Sequence, residues 1–588
     1  MGAAAIIPIV AMMGSGLDMS RAYLVQTRMQ QACDAATLAA RKKLSGGETA
    51  GGNVPVAVRN VANDFFDANF QNGDYGTQDL TFNLRAGTAT RMDGTATVTL
   101  PTVLMQIVGY DNFNLTVNCS AELNLPNIDV MLVLDLSSSM FTNDRIGSLK
   151  QAVLQFYDAV HAVKPANSRV RIGVVTYSST VNVGRILHDA DPAWLASTWT
   201  YQTREALAPE EFANAQELLP SNQSQLGQSG ASTRWTDSSS ERNRCTGMGP
   251  AGGRVFNVGN DEWVIVGAQF LPNHFSSGNP RGACRATVRK TRFPYRYLSK
   301  ELDTSNYKRF NSVSVNVGTR GAAVSSTWNG CIEERGTVAQ AMWATIPADA
   351  YDLDINTVPN SNPATQWKPM WPAASFPRTA RNTQTPDTWT TTTNNASYSS
   401  FAACPTASRK LREYPLNGGS RNTDFQNYIN SLTPAGGTMH DIGMVWGARL
   451  LVPNGLFGSE NSTAPNGDPI RRYIIFMSDG EMGADPQNYI GYGHPNMDGR
   501  FLGIKGTNQR WSEAELATVH NRRLRALCER IKDQSITIFT IMFDLSQNEF
   551  TRGCATGTER AFEASGRDEL IDTFREIAGT IAELRLVN

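Results

Sequence analysis

The pattern of apolar and polar positions begins with a long helical stretch. Residues 2–17 are apolar or small, and the helical spacing of apolar residues continues until Gly46 and Gly47. An apolar run of 16 residues falls slightly short of the roughly 20 that span a bilayer. We therefore predict a helix over 1–46 that is anchored in a membrane at one end or packed lengthwise in a fibre. An ordinary buried helix is the alternative.

A second helical pattern and several alternating patterns follow. Residues 54–70 have helical apolar spacing, whereas 80–87, 95–109 and 113–123 alternate between apolar and polar residues in the manner of strands. Gly, Asn and Asp clusters separate these runs, as turns do. The pattern predicts a small α+β module over 47–125.

Buried strands and amphipathic helices alternate in two later blocks of the chain. Residues 128–135 form a nearly continuous apolar run, as in a central parallel strand that is buried on both faces. An amphipathic helix and a second strand follow, and the same alternation returns after residue 425. Because the strands of either block are too few to cover a core, we predict one α/β domain split between 126–183 and 425–588. Its sheet is expected to be doubly wound, mostly parallel and Rossmann-like.

The segment between these blocks, 184–424, has a different composition. It is rich in Ser, Thr, Asn, Gly and Pro, yet it carries nine of the eleven tryptophans, whereas disordered segments are poor in aromatic residues. Four cysteines also lie in it: Cys245, Cys284, Cys331 and Cys404. We expect a long, irregular insertion that contains disulfides and little regular structure.

Charge and cysteine usage exclude some classes of function. With 53 basic and 54 acidic residues, the chain gives no electrostatic reason to bind nucleic acid. None of the eight cysteines forms a C-x-x-C pair, which argues against a zinc ribbon. Their even number favours disulfides in an oxidising compartment, with reduced core cysteines as the alternative, and the spacing leaves the pairing open. Cys528 and Cys554 flank one predicted strand, so they are candidates for a bridge.

Hydroxyl and carboxylate side chains cluster at predicted strand ends. Asp135, Ser137 and Ser139 directly follow the first strand of the α/β domain. Thr438 follows two glycines at a helix start, and Asp479 closes a later strand. In an open α/β sheet, ligands bind beyond the carboxyl ends of the strands, where these three segments would meet.

The chemistry of these side chains suggests a metal site. An all-oxygen set suits Mg²⁺, with Mn²⁺ or Ca²⁺ as alternatives, rather than zinc. Two carboxylates and neutral hydroxyls would leave the metal electrophilic, with one position open for an acidic group of a partner. The plainer interpretation is that Ser137 and Ser139 cap the next helix and that Asp479 makes a turn.

The five positions together resemble a known motif, the metal-ion-dependent adhesion site of von Willebrand factor A domains. More widely, the chain resembles TadG-type proteins of tight-adherence (Flp) pilus systems, which join a pilin-like N-terminal anchor to such a domain. The segments that carry this resemblance are QTRMQQACDAATLAARKKL, WNGCIEER, GGTMHDIGMVWGARLL, IRRYIIFMSDGEM and a closing helix that ends in ELRL. The resemblance implies a pilin-like module, a location in the bacterial envelope or outside the cell, and a role in pilus assembly or adhesion. It also favours the bridge between Cys528 and Cys554.

A second acidic motif is weaker. Asp352, Asp354 and Asn356 match the opening of a calcium loop, but Thr357 stands where the sharp turn of that loop needs Gly. We therefore expect a solvated acidic turn at this position.

Sequence signatures of enzymes are missing. The chain has no H-E-x-x-H, no G-x-S-x-G and no Walker loop. His440 and Asp441 are adjacent on a helix, so we expect them to orient the loop or bond backbone rather than to form a catalytic pair. A metal-dependent phosphohydrolase would need more carboxylates than Asp135 and Asp479. We predict a protein that is not an enzyme.

Two hypotheses about function follow. The first is an adhesion or assembly component that binds pilus subunits, or another protein or surface, through Mg²⁺ and reaches the membrane through its N-terminal helix. The second is a structural, minor-pilin-like subunit whose metal only stabilises the fold. Complete cover of the metal face by the insertion would favour the second.

Overall fold

The computed structural model describes most of the chain. It covers residues 3–43, 54–87, 91–123, 127–162, 169–226, 228, 230–249, 255–258, 261–376, 388–390, 404–465, 467, 469–483, 485–486, 488–505, 509–581 and 584–587. The helix end predicted at Gly46 and Gly47 lies outside these residues.

Helices and strands are numbered in chain order within these ranges. The α-helices are α1 (Ala3–Lys43), α2 (Val56–Asn69), α3 (Arg145–Ala162), α4 (Gly184–Ala190), α5 (Ser239–Thr246), α6 (Thr423–Ser431), α7 (His440–Arg449), α8 (Gly458–Asn461), α9 (Pro495–Asp498), α10 (Glu513–Lys532), α11 (Glu549–Cys554) and α12 (Arg567–Ile581). The strands are β1 (Gln78–Ala86), β2 (Arg91–Pro101), β3 (Asn112–Leu123), β4 (Asn127–Asp135), β5 (Val170–Tyr177), β6 (Thr198–Ala206), β7 (Glu210–Leu219), β8 (Arg234–Trp235), β9 (Val255–Val258), β10 (Asp261–Leu271), β11 (Gly282–Arg292), β12 (Tyr295–Asp303), β13 (Ser312–Val315), β14 (Val324–Thr327), β15 (Ile332–Glu333), β16 (Lys368–Pro369), β17 (Thr388–Thr390), β18 (Arg409–Glu413), β19 (Ile470–Ser478), β20 (Ile536–Phe543), β21 (Ala561–Ala564) and β22 (Leu584–Val587).

The first sheet packs against α1 and α2. Its order is β1-β2-β3-β22, and buried positions alternate along the whole of β2, so one face of the sheet is covered. Val25 and Met29 of α1 meet Phe66 of α2 in this core. The last strand, β22, comes from the C-terminus and pairs with β3. The predicted closing helix over ELRL was wrong at its end, because α12 ends at Ile581 and Leu584–Val587 form β22 of this sheet.

A buried carboxylate holds α1 on this sheet. Asp18 accepts the N–H groups of Val103, Leu104 and Met105 at 3.0, 2.9 and 2.9 Å. The turn between β2 and β3 is thereby fixed to the helix. Within the described part of the chain, no helix combines the length and the low polarity that crossing a bilayer requires.

The main parallel sheet combines strands from both blocks of the predicted α/β domain. Its order is β18-β5-β4-β19-β20-β21, and each neighbouring pair is parallel except β18 with β5. Every residue of β4 is buried, in keeping with its uninterrupted apolar run. The predicted mixed α/β class, with a leading helix and parallel strands, is confirmed.

Helices cover both faces of this sheet, because successive strand residues point to opposite sides. Val130 and Leu132 of β4 face a core that includes apolar residues of α3, α6 and α12. Met131 and Val133 face a second core, to which α7 and α10 contribute. Because β4, β19 and β20 are adjacent and parallel, their carboxyl ends lie side by side at one edge of the sheet.

The inserted segment contains more regular structure than predicted. Strands β7, β11, β10 and β9 form an antiparallel sheet, and β6 pairs with β12 along its whole length. The expectation of little regular structure was wrong. Buried Cys284, Ala286 and Val288 of β11 alternate with polar residues as in a half-buried strand, but the polar composition of the whole segment masks this short pattern. The strand β18, which lies before the predicted boundary at residue 424, pairs with β5 in the main sheet. Its charged sequence, RKLRE, is that of an edge strand.

Four disulfides join the eight cysteines. Their Cα atoms are 5.1 to 5.8 Å apart, within the usual range. The bridge between Cys528 and Cys554 is the one that the sequence favoured. Cys33 and Cys119 also form a bridge, although the sequence analysis did not select them as candidates. The pairs are Cys33–Cys119, Cys245–Cys284, Cys331–Cys404 and Cys528–Cys554.

Candidate metal centre

Three neighbouring parallel strands lead into carboxylates. Asp135 is the last residue of β4, Asp479 directly follows β19, and Asp544 directly follows β20. Because β4, β19 and β20 are adjacent and parallel, the three side chains emerge at the same edge of the sheet. The sequence predicted the first two as site residues and did not select Asp544.

The loop after β4 is organised by hydroxyl groups. The N–H of Ser137 donates to Asp135 Oδ1 at 2.7 Å, and Ser137 Oγ lies 2.9 Å from Ser139 Oγ. Ser139 Oγ donates to Asp479 Oδ1 at 2.7 Å, and Ser478 Oγ donates to Asp135 Oδ2 at 2.6 Å. The side chain of Ser137 does not cap the helical turn that follows it. Both carboxylates are therefore tied into one network of hydroxyls.

The segment before α7 brings Thr438 to the same place. Gly436 has a φ of 87°, which favours glycine, and its carbonyl accepts an N–H from the loop after β4 at 2.9 Å. Thr438 exchanges two backbone hydrogen bonds with Gly483, at 3.1 and 2.9 Å. A Cβ on Gly480 would lie 3.3 Å from Thr438 Oγ1 and 3.5 Å from Ser139 Oγ. Glycine at 480 thus leaves open the space beside these hydroxyls, and all five predicted residues come together.

Burial makes Asp135 a weak acid. Its side chain has no exposed surface, and burial, together with the negative charge of Asp479, raises its pKa to about 7 against the hydrogen bonds from Ser478 and Ser137. His440 Nε2 lies 3.0 Å from Ser478 Oγ. Burial lowers the pKa of His440 to about 4, so this ring is neutral at physiological pH. A cation beside the carboxylates would favour the charged form of Asp135.

Two residues at the site were missed by the sequence analysis. Ser478 bridges Asp135 and His440, and its position next to Asp479 at a strand end is a signal that could have found it. Arg145 donates from Nη1 to Asp479 Oδ2 at 2.9 Å and from Nε to Asp544 Oδ2 at 3.0 Å. These partners are 334 and 399 residues away in the chain, so no local pattern marks Arg145.

The other predicted acidic motif is a partly buried turn, in which Asp352 has no exposed surface. Tyr492 Oη donates to Asp352 Oδ2 at 2.9 Å, and Asp352 also pairs with Arg523 of α10. Asp354 accepts the N–H of Asn356 at 2.7 Å. The expectation of a solvated turn was wrong for Asp352, because an arginine distant in sequence neutralises it inside the protein.

Asp441 is likewise part of the interior. It accepts a hydrogen bond from Arg523 Nε at 3.2 Å and lies 2.7 Å from His520 Nδ1. The interpretation of His440 and Asp441 as positioning groups agrees with these contacts, since His440 reaches Ser478 and Asp441 fixes α7 against α10.

The donor set fits a hard divalent cation. It contains only oxygens, which Mg²⁺, Mn²⁺ and Ca²⁺ prefer over the nitrogen and sulfur ligands typical of zinc. Among the described residues, no group of three or more His, Cys, Asp or Glu is arranged to hold a metal. The candidate site instead combines two carboxylates with three hydroxyls. Its members are Asp135, Ser137, Ser139, Thr438 and Asp479.

Comparison with known proteins classifies the N-terminal helix. Residues 1–46 match the model of a family described as putative Flp pilus-assembly TadE/G-like. The N-terminal segment is TadE/G-like. This match confirms the predicted resemblance for that part of the chain. No curated protein sequence matches the chain.

Several solved pilus proteins are remotely similar in structure. The pilus adhesin SpaC from Lactobacillus rhamnosus GG, in its open conformation, is 10% identical with a TM-score of 0.28, covering 86% of this chain and 34% of that one. The vWF domain of the type V pili tip protein Mfa5 from Porphyromonas gingivalis is 11% identical with a TM-score of 0.26, covering 78% and 96%. The pilus adhesin RrgA from Streptococcus pneumoniae is 9% identical with a TM-score of 0.29, covering 86% and 49%. This chain thus spans about a third of the SpaC structure. Because these TM-scores are below 0.5, the similarities say nothing about the site, which is defined by the distances between its own residues.

Proposed function

We propose that this protein is an adhesion or assembly component of a Tad/Flp pilus that binds its partner through one Mg²⁺ at the strand-end site. The fold proposed for this role is a doubly wound von Willebrand A-type domain formed by 126–183 and 425–588. The insertion 184–424 would lie beside the site, and 1–46 would anchor the chain in the cell envelope. The observation that carries the proposal is the hydrogen bond between Ser139 and Asp479, which unites motif segments 340 residues apart.

The chain's own residues have separate tasks at this site. Asp135, Asp479 and the three hydroxyls would hold the ion, which supplies a Lewis-acidic position for an acidic group of the partner. Ser478 fixes the orientation of the Asp135 carboxylate, and His440 in turn fixes Ser478. No residue is assigned a catalytic role.

Exposure around the site supports partner binding over a purely structural metal. Ser138 and Glu481 are exposed, Ser139 is half-buried, and the Phe141 side chain is 61% exposed. A partner would therefore reach the site at Ser139, because the other four candidate ligands are buried. An exposed aromatic side chain two residues further along the same loop is typical of an interaction surface.

Calorimetric titration of the full chain with MgCl₂ tests the metal site. We expect one bound ion in the parent protein, no binding in Asp479→Asn, and at least about tenfold weaker binding in Thr438→Val, which loses only a hydroxyl. Thr433→Val is the matched control, because it makes the same change at an exposed position of the same segment. Absence of binding in the parent would refute the site.

A second measurement separates the two functions considered. Capture of pilus subunits or of a surface should require Mg²⁺, be abolished by chelator and be lost in Asp479→Asn. If Mg²⁺ raises the melting temperature while capture persists in chelator, the metal is structural and the partner-binding proposal fails.

A further inference from the structure

One guanidinium lies between two of the three strand-end carboxylates. Arg145 is the first residue of α3, and its fork reaches Asp479 at 2.9 Å and Asp544 at 3.0 Å. Its side chain is 17% exposed, and that of Asp544 is 22% exposed. Arg145 is therefore shared about equally between a residue of the candidate metal site and a residue outside it.

The two oxygens of Asp479 have different partners. Oδ1 accepts the hydroxyl of Ser139, which belongs to the candidate metal site, whereas Oδ2 accepts Arg145. A cation held through Oδ1 would thus have a guanidinium on the opposite side of the same carboxylate. Two positive groups that share one carboxylate weaken each other's binding, because each repels the other and draws on the same negative charge.

We propose that Arg145 competes with the divalent cation for Asp479 and that Asp544 relieves this competition by holding Arg145 from the other side. This inference rests on the proposed metal site and concerns how tightly that site holds its ion. Arg145 would be a positioning residue that keeps metal affinity low, so that the ion remains electrophilic towards an acidic group of the partner.

The charge balance of the site supports this role. When Asp135, Asp479 and Asp544 are ionised, they carry three negative charges, and Arg145 leaves a net charge of minus two. One divalent cation then neutralises the site, and the acidic group of a partner meets no excess negative charge. Without Arg145, the ion would be held more tightly, but the occupied site would repel an acidic group.

Opposite effects of two substitutions test the proposal in the full chain. Arg145→Gln removes the competing charge and should tighten Mg²⁺ binding about tenfold, since unit charges a few ångströms apart near a surface interact on this scale. Asp544→Asn leaves Arg145 to Asp479 alone and should weaken Mg²⁺ binding by a similar factor. The matched control is Arg575→Gln, which removes an exposed guanidinium of α12 that pairs with Asp572, and it should change the affinity by less than about twofold.

The double variant Arg145→Gln/Asp544→Asn shows whether Asp544 acts through Arg145. If it does, the Mg²⁺ affinities of the double variant and of Arg145→Gln alone should differ by no more than about threefold. Should Arg145→Gln fail to fold, Asp544→Asn still tests the proposal, because an unchanged Mg²⁺ affinity in that variant would overturn it. Dissociation constants come from calorimetry, with melting temperatures as the check on folding.

The outcomes separate this inference from the proposed function. If the parent binds no Mg²⁺, both are overturned. If the parent binds Mg²⁺ but Arg145→Gln binds it equally or more weakly, Arg145 only supports the fold and this inference alone is overturned.

Discussion

Mg²⁺ binding at the strand-end site should release a proton, because one of its carboxylates is a weak acid. Burial and the charge of Asp479 raise the pKa of Asp135 to about 7. The ion ligates the ionised carboxylate, so protonated Asp135 must first lose its proton. His440 does not titrate in the same range, since burial lowers its pKa to about 4.

The size of the effect follows from this pKa. The apparent affinity for Mg²⁺ should be about elevenfold lower at pH 6 than its plateau, about twofold lower at pH 7, and nearly at the plateau at pH 8. The same shift affects the stability of the metal-free chain. The folded-state pKa of Asp135 lies above the ordinary value of 3.8, so its contribution to stability is full below about pH 4 and is lost as pH rises through about 7. At about 1.36 kcal/mol per pKa unit, that loss is about 4 kcal/mol, which Mg²⁺ would offset.

Calorimetry of the full chain in buffers with different ionisation enthalpies measures the Mg²⁺ affinity and the number of protons released per ion. We expect about 0.9 protons released per ion at pH 6, about 0.5 at pH 7 and about 0.1 at pH 8. Thr438→Val keeps Asp135 and should release the same number of protons per ion at a weaker affinity. A constant affinity from pH 6 to pH 8, with no proton release, would refute the reasoning about Asp135.

Two further substitutions test how α1 is held on the first sheet and how the insertion is held on α7. Asp18→Ala removes the acceptor of three backbone N–H groups in the turn after β2 and should cost about 2 kcal/mol, measured as a lower midpoint of urea unfolding; Asp18→Asn keeps one acceptor and should lose less. Glu334→Gln leaves Arg449 buried without its counter-charge and should cost about 3 kcal/mol. Amide hydrogen exchange of the insertion should then be faster in Glu334→Gln. Unchanged exchange would contradict the conclusion that Glu334 holds the insertion on α7.

The strand-end site could be predicted because its signals are local. The continuous apolar run of β4 marks a strand that is buried on both faces, and Asp135 follows from the rule that ligands gather at the carboxyl ends of parallel strands. The glycines before Thr438 mark a helix start that approaches another loop closely. In each case the sequence signal lies within one strand or turn and the residues that directly follow it.

The parts that could not be predicted depend on partners far along the chain. β18 joins the main sheet as a short charged edge, and its pairing with β5 carries no sequence signal. The contacts of Arg145 with Asp479 and Asp544 also carry no sequence signal, because these residues come together only when the folded sheet places its strand ends side by side. In the insertion, half-exposed antiparallel strands such as β11 keep enough polar residues to resemble loops.

The insertion is fastened to the helix that begins beside Thr438, and this bears on what it does. Trp446 and Arg449 of α7 donate to the Glu334 carboxylate at 2.6 and 3.0 Å, and all three side chains are buried. A buried ion pair adds little net stability, but breaking it is costly, so such contacts specify position. The insertion is thus held at a defined place relative to Thr438, while Phe141, in the segment after β4, remains exposed. A partner that contacts both the insertion and the ion would therefore meet a surface already arranged before it binds, which reduces the entropy lost on association.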